Sequence, residues 1–244
     1  MVYTNTTRTD GFGAQYQNII YCILYYSNKN LPFVYTPFST IEHNYANDPS
    51  YTTKLDALIN ICSYYPVAEQ SEELTVQRHD RGVIYNEIES NMDKYFTSEE
   101  FFKIRTAFHH NKPSFDKAYY NVAIHIRVSN TVDTDLPSFR KTDLSYYLSI
   151  INHIREIHTK ENNKPIRFHI YSQGDRSDFS LLDTSDTVFH LNEYIGSTFI
   201  DLVLADTLVT SKSSLSYTAA LLNTNEIYYN PFWHPPLPHW KRYI

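Results

Sequence analysis

From Tyr119 onward the chain alternates short apolar runs with longer stretches of helical period, and this rhythm restricts the fold more than any other feature. "YYNVAIHIR" (119–127) reads as a buried strand. "DLSYYLSIINHIREIH" (143–158) follows, with Leu144, Tyr147, Leu148, Ile151 and Ile154 on one helical stripe. "IRFHIYS", "TVFHL", "DTLVTS" and "EIYYN" read as further strands, separated by helices over "SDFSLLD", "STFIDLVLA" and "SSLSYTAALLN". Parallel strands need a crossover between them, and helices of this length supply it, so the pattern predicts an α/β fold with a parallel, doubly wound sheet. The tail "PFWHPPLPHWKRY" carries four prolines and is expected to be irregular after "EIYYN" as the last strand.

The N-terminal part is less regular. "MVYTNT" reads as a strand, followed by the turn "DGFG" and a helix with Tyr16, Ile19, Ile20, Ile23 and Leu24 on one face. "LPFVYTPF" (31–38) reads as a strand stopped by proline. Residues 40–120 are polar, aromatic and acidic, and are expected to be largely irregular, with one helix over "TSEEFFKIRTAFHH" capped by Ser98. The domain organisation expected is an N-terminal domain over 1–117 and a second domain over 118–244.

The net charge of −6 excludes an extended nucleic-acid footprint, which needs a uniformly basic face. Cys22 and Cys62, the only cysteines, make neither a disulfide framework nor a zinc site. The polar start "MVYTNTTRTD" lacks a signal-peptide pattern and no window reaches a membrane span, so a soluble, cytoplasmic protein is expected, one of microbial or large-virus type from its Asn- and Tyr-rich composition. "DGFGAQ" lacks the third glycine of a dinucleotide fingerprint. P-loop and nucleophile-elbow motifs are also missing.

In doubly wound sheets ligands sit beyond the carboxyl ends of the strands. Three sets of residues stand there. His125 and Arg127 end the strand "NVAIHIR" two residues apart, on one side of it. Arg127 suits a diphosphate, or a structural ion pair with His125 as a core histidine. Asp133 and Asp135 follow in a loop; D-x-D fits a metal site, a general base, or two solvated carboxylates. Ser213 and Ser214, downstream of Asp206 in "ADTLVTSKSS", open a helix as ordinary caps or as a phosphate cradle.

With these residues in place, "GFGAQYQNIIYCILYY", "HIRVSN" and "ADTLVTSKSSLSYTAAL" together resemble the fucosyltransferase superfamily of α1,2-, α1,6- and protein O-fucosyltransferases, nearest the α1,6 and Nod-factor type. The resemblance implies a GT-B-like pair of Rossmann-type domains around a cleft, the N-terminal, acceptor-side one reduced. It implies an inverting, metal-independent glycosyltransferase without cofactor, using GDP-fucose and a glycan acceptor. On it, Arg127 matches the arginine on the donor β-phosphate and His125 the histidine near the guanosine. Ser213, Ser214, Gly11 and Gly13 match groups near the diphosphate, with Asp206 in the same donor-binding block. Asp135, or Asp133, stands where the α1,6 enzymes place a glutamate base. Val128 replaces the second arginine of H-x-R-R, and Asp replaces Glu. A UDP- or GDP-linked pentose or deoxyhexose such as UDP-xylose, a metal-dependent transferase using Asp133 and Asp135, and a degenerate glycan- or nucleotide-binding module remain the alternatives.

Overall fold

The computed structural model describes residues 2–68, 76–77, 79–113, 115–128, 142–161 and 164–243, and the chain divides into two compact units, Met1–Lys112 and Pro113–Ile244. Two successive α/β units with parallel sheets are what a GT-B-like chain requires.

The first unit holds β1 (Val2–Thr4), α1 (Phe12–Asn28), β2 (Phe33–Val34), α2 (Tyr51–Ile59), β3 (Val76–Gln77), α3 (Arg81–Ser90), α4 (Met92–Phe96) and α5 (Glu99–His109). Its sheet is small and parallel, in the order β2-β1-β3. The expected face of α1 is buried, but so is nearly every other residue from Phe12 to Tyr26, because α3 and α5 pack on it as well as the sheet. A helix covered on all sides needs no polar face, which explains the unbroken "NIIYCILYY". Ser98 caps α5 by accepting the Phe101 N–H at 3.2 Å. The expectation of a mainly irregular 40–120 is corrected: α2, α3 and α4 form there in addition to α5. Their apolar stripes are short, Tyr51, Leu55 and Ile59 on α2 and Ile84 and Ile88 on α3, and each is buried. So few anchors in polar sequence carry little periodic signal; tertiary packing, not propensity, holds these helices.

The second unit contains β4 (Tyr120–His125), α6 (Leu144–Glu161), β5 (Ile166–Ser172), a 3₁₀ segment (Arg176–Leu182), β6 (Thr187–Leu191), α7 (Ile195–Leu204), β7 (Thr207–Val209), α8 (Ser214–Leu222), β8 (Glu226–Tyr229) and β9 (Lys241–Arg242). All neighbours pair in parallel, in the order β6-β5-β4-β7-β8-β9. The chain therefore winds outward from β4 to β6, returns to β7 on the other side of β4, and winds outward again. One expectation needs correction here. The proline-rich tail does end in regular structure, since Lys241 and Arg242 pair with Tyr228 and Tyr229. Once past its prolines, the tail has a free sheet edge beside it.

The two faces of this sheet differ. Val122, Ile124, Phe168 and Ile170 point toward α6, where Tyr147, Ile151 and Ile154 of the predicted stripe are buried and Leu144 and Leu148 partly so. The alternate residues Asn121, His125, His169 and Tyr171 are polar and face α7, α8 and the loops before them. Tyr171 there donates to Asp201 of α7 at 2.9 Å, and Asn223 ties the end of α8 to the Leu202 and Ala205 carbonyls.

Candidate functional site

The winding reverses between β4 and β7, and in doubly wound sheets that reversal is where a ligand is expected, beyond the carboxyl ends of the two strands. β4 delivers His125 and Arg127 to that edge, and β7 delivers Thr210, Ser211 and Ser213. Ile124 stands opposite Val209 in the register, so the two groups of residues leave their strands at the same level.

Ser213 is the N-cap of α8: its hydroxyl accepts the Leu215 N–H at 3.3 Å. Its extended backbone conformation (φ −145°, ψ 135°) is the one a cap requires. The same hydroxyl lies 3.5 Å from Arg127 Nη1. Ser214 is the first residue of the helix and partly exposed. The capping account of Ser213 and the anion-binding account thus describe one group: a guanidinium meets a helix start through its cap. Both Arg127 and the N–H groups at the start of α8 are positive or partly positive, a pairing whose chemistry suits an anion.

His125 is buried, and its Nδ1 lies 2.7 Å from Ser211 Oγ. Burial, then the neighbouring Arg127 charge, pushes its pKa down to about 3. It is neutral at physiological pH and offers one ring N–H and one lone pair. On the same face His169 bridges the Asn121 side chain and His190, at 3.1 and 3.0 Å, and burial drives its pKa down to about 4. Both histidines charge more readily in the unfolded chain, which binds extra protons as pH drops below the ordinary histidine value. Stability therefore falls as pH drops from 6.5 to about 4 for His169 and to about 3 for His125. Urea titrations at pH 7 and pH 5 are expected to give a lower midpoint at pH 5, and a His125→Gln variant a smaller difference between the two.

The remaining sequence-derived residues divide. Asp206 is not brought to this edge. It precedes β7, and its carboxylate accepts the Asn121 N–H at 2.8 Å while its own N–H donates to the Asn121 carbonyl at 3.0 Å. It fastens the starts of β4 and β7, at the opposite end of the strands from Arg127. Asp133 and Asp135 lie outside the described residues. Gly11 and Gly13 belong to the first unit, where Gly11 is the N-cap of α1 and Gly13 is buried in its first turn. A Cβ on Gly11 would lie 3.3 Å from the His43 ring, a close approach within its own unit. Gln15 holds this turn by donating to the Asp10 and Thr40 carbonyls at 2.6 and 2.8 Å. Sequence reasoning missed Ser211. The segment "TSKSS" contains three serines, and only the fold shows which of them meets His125, 86 residues away.

No family model matches the chain, and no curated protein matches it in sequence. Among solved structures it is similar to a NodZ α1,6-fucosyltransferase soaked with GDP-fucose, at 13% identity over 91% of this chain and 92% of that one, with a TM-score of 0.46. It is similar to the fucosyltransferase NodZ from Bradyrhizobium at 12% identity, covering 91% and 93% of the two chains with a TM-score of 0.45. A NodZ α1,6-fucosyltransferase co-crystallised with GDP matches at 13% identity over 94% and 96%, with a TM-score of 0.45. Among the described residues no helix is long and apolar enough to cross a membrane, and no cluster of three or more metal-ligating side chains occurs.

Proposed function

We propose that the second unit binds the diphosphate of a nucleotide-sugar donor and that the chain is a glycosyltransferase, with GDP-fucose the first donor to test and a UDP- or GDP-linked pentose or deoxyhexose next. One observation carries this reading: Arg127 meets the capping hydroxyl of α8 at the point where the winding of a parallel sheet reverses. A nucleoside diphosphate suits such an edge because its charge is spread over several oxygens, which a forked guanidinium and a row of N–H groups can share.

In the reaction the acceptor hydroxyl attacks the anomeric carbon while the bond from that carbon to the diphosphate oxygen breaks. The proton of the hydroxyl passes to a carboxylate, assigned to Asp135, or Asp133, on the sequence resemblance alone. Attack from the face opposite the leaving group inverts the centre. The negative charge that grows on the departing diphosphate falls on Arg127 and the start of α8, so these groups bind the transition state more strongly than the ground state. This account needs no metal. For Gly11 and Gly13 a donor role rests on the resemblance alone, and a glycan is the acceptor class it implies.

A panel of nucleotides and nucleotide sugars, read by thermal shift and by transfer or hydrolysis, tests the reading. The expected result is a rise in melting temperature with GDP and GDP-fucose, smaller or absent with UDP, and turnover unchanged by EDTA. Turnover lost with EDTA and restored by Mn²⁺ would move the assignment to a metal-dependent transferase. Binding with no transfer or hydrolysis on any donor would make the chain a binding module.

A further inference from the structure

The polar contacts around His125 bear on how the site reads its ligand. The Ser216 hydroxyl accepts the Ser211 N–H at 3.1 Å and lies 3.3 and 3.4 Å from the Ser211 and Ser213 carbonyls, so its own hydrogen has a backbone acceptor. Ser211 Oγ then has two directions for its hydrogen: His125 Nδ1 at 2.7 Å, or Ser216 Oγ at 3.3 Å. An O–H donor favours the shorter line, close to the usual O–H donor distance, over one at the outer limit. Nδ1 is therefore the accepting nitrogen. A neutral imidazole carries a single ring proton, and it must then sit on Nε2. Among the described residues Nε2 has no hydrogen-bond partner. All of this lies on the strand edge that carries Arg127 and the start of α8.

We propose that Ser211 is a positioning residue that locks His125 in its Nε2–H form, so that the site presents a neutral ring N–H, beside the Arg127 guanidinium, to an acceptor oxygen of the bound nucleotide. The ligand half of this inference rests on the nucleotide-sugar reading; the tautomer half does not. Such a donor discriminates. It favours an oxygen acceptor, whereas a ligand presenting an N–H at that point leaves two donors facing each other.

The test has two parts. In ¹⁵N-histidine-labelled wild-type protein, a long-range ¹⁵N–¹H spectrum is expected to show His125 with Nε2 protonated and Nδ1 bare, assigned by its loss in His125→Gln. Calorimetric titration with GDP is expected to weaken about tenfold in Ser211→Ala, the effect of one good hydrogen bond, and to recover in Ser211→Thr, which keeps the hydroxyl. A proton on Nδ1 in the wild type overturns the proposal outright. Wild-type affinity in a folded Ser211→Ala overturns the positioning role. If wild-type protein binds neither GDP nor UDP, the nucleotide-sugar reading fails, while the spectrum still decides the tautomer.

Discussion

Arg127→Ala is expected to lower the transfer rate by about 10²-fold or more. The guanidinium is partly exposed at the strand edge, where it donates to the Ser213 hydroxyl at 3.5 Å. The loss should appear mainly in kcat, because charge on the departing diphosphate develops in the transition state. Arg127→Lys should recover only part of it, since an ammonium cannot span two diphosphate oxygens as the planar fork does. The measurement is steady-state transfer with the donor selected by the nucleotide panel. Near-normal turnover in Arg127→Ala would remove the assignment.

Phe168→Ala is expected to have the opposite signature. Phe168 lies in the middle of β5, fully buried against α6, with the Arg155 guanidinium 5.2 Å from its ring centre. Truncating such a ring removes its buried surface and leaves a cavity that a closely packed sheet–helix layer cannot fill. The cost is about 3–5 kcal/mol, a large share of the roughly 5–15 kcal/mol that holds a typical protein folded. Urea unfolding followed by far-UV circular dichroism should show the midpoint falling sharply. A loss below about 1 kcal/mol would contradict the placement of Phe168 in the core. The two variants separate the layers of the molecule, one acting on chemistry and the other on packing.

The second unit was largely legible in the sequence because its longer elements carry a full period. The strands are apolar runs of five to seven residues, as in β5 and β6, and α6 keeps its stripe over about three turns. The helices α2, α3 and α4 were not legible because two or three buried residues each are too few to set a period. The strand β9 was hidden for another reason. Four prolines argue against regular structure, but they lie before Lys241 and leave its pairing edge intact. Of the site, His125, Arg127 and Ser213 could be named from their places after predicted strands. Asp206 could not be sorted from them, since a residue just before a strand and one just after it look alike when strand boundaries are blurred by two or three positions.

Local pattern alone determined that the second half of the chain alternates strand and helix, and that a histidine, an arginine and a pair of serines follow two of those strands. These depend on periodicity and on residue chemistry, both written along the chain. Which strands are neighbours was decided only by the tertiary structure. Pairing β4 with β7 brings residues 86 positions apart to within 2.7 Å, and it is this juxtaposition that makes Ser211 a partner of His125. It also sends Asp206 to the far edge of the sheet, where its carboxylate holds the start of β4. The physical reason is that a parallel sheet separates the two ends of every strand by its full length, and only strand order decides which ends meet.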